Sequence, residues 1–538
     1  MKTITLPLFL ILLSTNFVFS QISFTTESIA TTGQYNTCAV DMNGDYLDDI
    51  VSVSSTNINI HFQNPDGTFT VQNFPTTPAE NLPSWSMAAG DITGNGFNDL
   101  MFGSSSGVTF MYAENDGSGF TEVSYPEFVF VQRTNFVDID NDGNLDAFAC
   151  HDIAPNVYYI NDGTGVLEYN QGGLGDVPVG GHYGSIWIDY NNDGNLDLFI
   201  AKCSGGGQGA TAKYNELFRN NGDGTFTDVS VESGLRDPIQ TWSSAWGDFD
   251  NDGFMDVLVG ASSFSDGGHK LMRNNGDGTF TDITAGSGFD AFGGTSVEHA
   301  TYDFNNDGFL DIFGNSNTIF LNNGDFTFTP YTIPFSGAAI ADLNNDGFLD
   351  AFRGSTIHYN DGNDNNWIVI NTQGVESNRN GIGARIELTS ALGTQIRDVR
   401  SGEGFRYMST LNTHFGIGTD TEIENIIIRW PSGNVDIIEN PEINTSHHII
   451  EGENPLNTND NALAEISLFP NPTDGILNIS TRENLIGSSA KVYDVSGRLI
   501  HTDILENNTL NVSFLSTGTY FLNLNVSGKT AKLRFIKK

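Results

Sequence analysis

Seven times the chain repeats a nine-residue run with an oxygen-bearing side chain at its first, third, fifth and ninth positions, usually with glycine at the sixth. The runs span Asp41 to Asp49, Asp91 to Asp99, Asp138 to Asp146, Asp189 to Asp197, Asp248 to Asp256, Asp303 to Asp311 and Asp342 to Asp350. Third positions are Asn43, Thr93, Asp140, Asn191, Asp250, Asn305 and Asn344, and fifth positions are Asp45, Asn95, Asp142, Asp193, Asp252, Asp307 and Asp346. A hard cation such as calcium collects about six to eight oxygens, and a short segment converges that many only by folding tightly. The seventh position can supply its backbone carbonyl whatever its side chain, which suits the varied Leu47, Phe97, Asn144, Asn195, Phe254, Phe309 and Phe348. One such run alone would equally suit an ion-free Asx turn. Seven with the same ligand positions read as a set of calcium loops, up to seven ions in all. The second has only Asp91 and Asp99 as carboxylates and is expected to bind weakest; the third and fifth carry four each and are expected to bind best.

These loops explain much of the charge. Acid outnumbers base by 66 to 23, a net charge of -43, and seven divalent ions, with fourteen positive charges, would cut that to -29. Without the ions, closely spaced carboxylates repel one another, so stability is expected to depend on the cation. Nucleic acid is excluded as a partner, since its binders carry a basic footprint.

Residues 1–20 combine Lys2, an apolar stretch and a small Ser20, and read as a secretory signal with maturation at Gln21. No other segment is long and apolar enough for a transmembrane span in the mature chain. Cys38, Cys150 and Cys203 are too few for a disulfide framework. A Cys150 to Cys203 bridge is left open.

The first aspartates of successive runs lie 50, 47, 51, 59, 55 and 39 residues apart, the period of four-stranded propeller blades. Each unit offers a short apolar strand before the run, another after it, a third leading to a Gly-Asp-Gly turn, as in NNGDGTF, and an alternating fourth. The seventh unit lacks its fourth strand, and ISFTTES from Ile22 to Ser28 resembles the missing piece. Pairing it there would close the ring and remove an exposed sheet edge. The expected fold is all-β: a seven-bladed propeller over 21–364, a small β domain over 365–452, a linker over 453–464 and an Ig-like β-sandwich over 465–538.

The repeats resemble the FG-GAP or VCBS-type calcium propellers, as in integrin α-subunit heads. That resemblance implies calcium loops between first and second strands, on the face opposite the usual ligand face. NNWIVI, SNRNGIGARIEL, HFGIG and IIIRWPSG resemble the ASPIC and UnbV module of the cartilage acidic protein family. Within it, Arg385, His414, Arg429 and Trp430 read either as a ligand patch or as strand and turn positions. From Ile466, Pro470-Asn471-Pro472, Asp494 to Gly497, Gly518-Thr519-Tyr520 and the basic tail resemble the C-terminal sorting domain of type IX secretion substrates. This implies recognition by that machinery and a secreted or outer-membrane surface-anchored protein.

If the loops occupy one face, the segments four to seven residues ahead of them emerge on the other. That places Trp85, Arg133, His182, Trp242, Glu298 and His299 at the channel mouth, joined by His151, the stretch Lys202 to Tyr214, and Ser262 to His269. The expected role is adhesion or capture of extracellular glycan or protein by this rim. No nucleophile motif appears in its needed context, so no catalytic residue is assigned. Alternatives are a polysaccharide lyase or hydrolase using His182, Glu298 or His299, and a purely structural surface component.

Overall fold

The computed structural model describes residues 22–164, 166–175, 180–203, 210–314, 316–454, 467–481, 485–494, 499–526 and 529–538. The signal segment with its cleavage position Ser20, the expected mature start Gln21, most of the linker, residues 204–209 of the long rim stretch and residues 495–497 of the sorting motif lie outside them. Among the described residues, no helix is long and apolar enough to cross a membrane.

Each nine-residue run lies between two antiparallel strands. The first strands, Tyr35–Val40, Met87–Gly90, Val131–Val137, His182–Ile188, Ser244–Gly247, His299–Tyr302 and Ala339–Ala341, each end one residue before a run begins. The run's ninth aspartate then opens the second strand, as in Asp49–Val53 and Asp256–Val259. These second strands are buried almost throughout, because both faces pack against neighbouring blades. They therefore read as unbroken apolar runs, whereas the outer strands, half in solvent, alternate. With the third and fourth strands they make seven four-stranded antiparallel sheets. In the seventh, Phe24–Ser28 pairs antiparallel with Thr356–Asn360, from Phe24 opposite Asn360 to Ser28 opposite Thr356, so the N-terminal strand closes the ring.

Apolar side chains fill the spaces between blades. Phe249, Leu258 and Leu271 of the fifth meet Leu310, Ile312, Phe320 and Phe328 of the sixth. Full burial of each large side chain contributes about 1.5 to 3 kcal/mol.

The following segment forms a three-stranded and a four-stranded sheet. Asn366–Gln373 runs between Thr413–Gly418 and the parallel Ser446–Ile450, while Arg385–Ser390 and Ile423–Arg429 form the centre of the larger sheet. Its core is continuous with the propeller: Ile382, Phe415, Ile428 and Trp430 share a cluster with Ala88, Ile92, Phe136 and Leu145. The two make one compact unit. Glu451 staples the module's own turns, accepting backbone N–H bonds from Val375, Glu376 and Ser377 at 2.7 to 2.8 Å. Together with the Ser432 and Asn434 side chains these donors hold its carboxyl down at about 2, despite the opposing effect of burial.

The C-terminal unit is a separate sandwich. Ser467–Phe469, Ile476–Ser480 and Thr509–Asn511 make one sheet, and Leu499–Ile504, Ser489–Asp494, Gly518–Val526 and Lys529–Lys537 the other. Leu477, Ile479, Val492, Leu510, Leu522 and Phe535 fill the space between them. Cys38, Cys150 and Cys203 are buried free thiols, so the bridge left open by the sequence is not formed here.

Candidate functional site

Each run folds around its own first and ninth aspartates. In the third, Asp138 accepts the backbone N–H groups of Asp142 at 3.1 Å and Gly143 at 3.0 Å; in the fifth, Asp248 accepts those of Asp252 at 3.0 Å and Gly253 at 2.8 Å. The ninth aspartate bridges further. One oxygen of Asp146 accepts the Ile139 N–H and the other the Asn161 N–H of the third strand, both at 2.8 Å. The fourth position takes left-handed backbone in every loop, which explains its restriction to glycine (Gly44, Gly94) or asparagine (Asn141, Asn192, Asn251, Asn306, Asn345). The sixth does so too, and where Tyr46 replaces glycine at φ 66° its ring lies 4.1 Å from that of His448.

These folds converge carboxylates. Ligand oxygens of Asp138, Asp140 and Asp146 lie within 4.8 Å of one another, as do those of Asp248, Asp250 and Asp256. Burial first, and then like charge, pushes Asp138 and Asp248 up to about 7 and Asp146 and Asp256 up to about 8. Asp250 Oδ1 is buried with no hydrogen-bond partner. Clustered carboxylates, amide oxygens and an unsatisfied oxygen together suit a hard divalent cation.

Sequence inspection missed a further set of residues. Asn161, Asn274, Asn322 and Asn360, at the end of the third strands, donate through Nδ2 to the Ile92, Tyr190, Phe249 and Phe304 carbonyls of the preceding blade, at 2.8 to 2.9 Å. The asparagine that opens each Asn-Asn-Gly or Asn-Asp-Gly turn carried that signal. Asn322→Leu leaves the Phe249 and Leu310 carbonyls without this donor and should cost about 2 kcal/mol in urea unfolding.

The module lies over the acidic loops. Arg385 pairs with Asp398 at 2.7 Å and donates to the Asp189 carbonyl at 2.7 Å, and Asn380 Oδ1 accepts the Asp91 N–H at 2.7 Å. Trp430 Nε1 donates to Asp436 at 2.7 Å, Arg429 pairs with Glu387 at 2.6 Å, and burial pushes His414 down to about 3. Three of those four ligand-patch candidates thus hold the module or its docking together.

From this lid a segment, Val399 to Leu411, runs into the ring. Its Met408 N–H donates to the Thr37 carbonyl at 2.9 Å, Ser401 Oγ to the Ala89 carbonyl at 2.9 Å, and Thr410 N–H to the Ile340 carbonyl at 2.9 Å. It therefore touches inner strands around the channel. Arg133 Nη1 donates to the Phe405 and Tyr407 carbonyls at 3.2 and 3.1 Å. Glu298 accepts the Phe405 and Arg406 N–H groups at 2.6 and 3.0 Å. Burial pushes Glu298 up to about 7, with those N–H bonds and Arg133 pulling it back. Phe405 ends among Trp85, Tyr183 and Trp242, with ring centroids 6.4, 6.3 and 4.9 Å away.

The open rim expected from the sequence is corrected accordingly. Arg133 and Glu298 clamp the plug, and His151, His182, His269 and His299 are buried. His182 Nδ1 lies 3.0 Å from the His151 carbonyl, His269 donates to the Gly294 carbonyl at 2.8 Å, and His299 is 3.3 Å from Ser243 Oγ. Burial pushes His182 and His299 down to about 3, so both are neutral at ordinary pH. Trp85 and Trp242 stay partly exposed. Exposed Phe128 and Ile153, which the sequence did not single out, occupy connections of the same face, as does exposed Phe264 of the Ser262 to His269 stretch.

Family profiles match three parts of the chain. An FG-GAP-like repeat profile matches residues 41–102, 138–200, 189–259, 260–314 and 303–353, an ASPIC and UnbV profile 374–456, and a secretion system C-terminal sorting domain profile 467–538. Cartilage acidic protein 1 of Mus musculus is 30% identical over 299 residues, covering 54% of this chain and 40% of that protein. Its Xenopus tropicalis counterpart is 29% identical over 312 residues, covering 55% and 41%. The chain thus spans about two fifths of the length of these relatives. Among solved structures, BBS1N in complex with ARL6DN aligns with a TM-score of 0.39 at 9% identity, covering 62% of this chain and 94% of that one. Saccharomyces cerevisiae Sqt1 aligns at 0.38 and 10%, covering 78% and 100%.

Proposed function

This chain belongs to the FG-GAP-like repeat family, and on that premise we propose that it is a calcium-dependent surface protein that binds an extracellular glycan or protein without catalysis. The sorting domain directs it to the cell surface or beyond. The convergence of carboxylate oxygens in the third and fifth loops is the observation that carries the calcium reading. Up to seven ions are proposed, one per loop, through the side chains and seventh-position carbonyls named from the sequence.

Calcium would neutralise repelling carboxylates and hold the first-to-second-strand connections rigid, while the opposite face, freed from cation duty, presents the ligand surface. We place that surface around the capped mouth, where Trp85 and Trp242 border Phe128, Ile153 and Phe264. Aromatic faces there suit stacking on a sugar ring or burial of apolar protein side chains. The lyase or hydrolase alternative is less favoured, because His182, Glu298 and His299 are sealed inside and already bonded. A purely structural role predicts no saturable ligand.

The test is a screen of the full chain against glycan and extracellular-protein arrays, with calcium and with EGTA. Binding that needs calcium and weakens about tenfold in Phe128→Ser with Phe264→Ser supports the reading. New reducing ends or unsaturated sugars would favour the enzyme, and no saturable binding the structural role.

A further inference from the structure

The third and fifth loops carry the same aspartates at the same positions, yet their outer oxygens have different partners. In the third, Asp142 Oδ2 accepts the neutral amide of Asn144 at 2.9 Å. In the fifth, that position is Phe254, which has no such donor, and a cation takes its place. Arg273 Nη2 donates to Asp250 Oδ2 at 2.9 Å and Asp252 Oδ2 at 3.0 Å. Its guanidinium lies 5.3 Å from the centre of the Phe326 ring of the next blade, which steadies it over the loop.

The residue before the third-strand asparagine decides this difference. Asn161 and Asn274 donate their N–H groups to Asp146 and Asp256 at the same structural position, so Ile160 in the third blade corresponds to Arg273 in the fifth. An apolar side chain stands where the fifth blade places a permanent positive charge.

Resting on the calcium reading above, we infer that Arg273 is a resident counter-cation that sets the affinity of the fifth loop, making it a weaker and more readily exchanged site than the third. Two effects act in one direction. With the loop empty, the guanidinium relieves repulsion between Asp250 and Asp252 and so lessens the drive to take up an ion. With an ion bound, it sits across the same carboxylates from a divalent charge and repels it. Asp250 Oδ1 is buried and unpartnered, so the site keeps a free carboxylate oxygen for an ion while Arg273 occupies Oδ2. Arg273 is a positioning residue here, and about 44% of its side chain is exposed, which keeps the effect to a moderate size.

The full chain would be titrated with free calcium fixed by EGTA buffers, and bound ions counted by native mass spectrometry. Asp140→Ala marks the ion of the third loop and Asp250→Ala that of the fifth. The third-loop ion is expected to bind at lower free calcium. Arg273→Gln should shift the fifth-loop ion about fivefold towards lower free calcium. Arg273→Lys, which keeps the charge, should leave it near the wild-type value, which a packing role would not. The inference is overturned if the two marked ions bind with equal affinity, or if Arg273→Gln leaves the fifth unchanged or weaker. If no ion binds at either loop, the calcium reading itself fails instead.

Discussion

Removing divalent cations with EGTA at pH 8 should lower the melting temperature of the propeller unit by about 15 °C, and acidifying the EGTA sample to pH 5 should recover part of that loss. Several modest ion-binding free energies add when each ion binds only the folded chain, so the combined effect is large. The pH arm follows from the empty loops. Asp138 and Asp248 sit at about 7, Asp146 and Asp256 at about 8 and Asp197 at about 9, all raised chiefly by burial above an unfolded value near 4. Over that interval the folded chain holds more protons than the unfolded one, so stability falls as pH rises from about 4 to about 8. Calcium replaces those protons and should abolish the slope. General repulsion within an acidic chain slopes the same way, but added salt screens it, while buried clusters are screened much less. A melting temperature indifferent to EGTA, or an EGTA profile flat from pH 5 to 8, would sink the account.

Gly404→Val should unseat the plug and cost about 4 kcal/mol of folding free energy. Gly404 has left-handed backbone at φ 66°, which a β-branched side chain resists, and a Cβ there would overlap Glu298 Oε1. Displacing Glu298 strips the Phe405 and Arg406 N–H groups of their acceptor and leaves Arg133 buried without its counter-charge. Withdrawal of Phe405 would also uncover Trp85 and Trp242, so tryptophan emission should move to longer wavelength. Gly433→Val separates strain from clash: its φ is 88°, but nothing lies within 4 Å of the added Cβ. It should show the strain cost alone and no change in emission. Equal losses in both variants would mean that the plug contributes nothing beyond backbone strain.

How much of this was legible depended on distance along the chain. A ligand run is nine residues long, and a blade repeats within about sixty, so spacing and residue type expose both. Even the closure could be read, because ISFTTES looks like the outer strand it replaces. The plug could not. Arg133 meets Phe405 across 272 positions and Glu298 meets it across 107, and no periodicity marks either partner. Arg133 and Glu298 looked like rim ligands because charged residues ahead of each loop do emerge opposite the cation face. Their burial followed from a segment supplied by the next module. The inter-blade asparagines were hidden differently: Asn-Asn-Gly or Asn-Asp-Gly reads as a turn, and the second duty of its first residue appears only when a neighbouring carbonyl is within reach.

The chain by itself determined the repeat number, the positions of the acidic loops, the strand that closes the ring and the export unit, since each is encoded in local residue patterns. Tertiary structure alone decided that the module and propeller share one core, that the channel is filled, and that Arg273 rather than a neutral amide faces the fifth loop. Those outcomes depend on which side chains close packing brings together from distant segments, and burial there turns a charge that would be a ligand in water into a clamp for the chain's own backbone.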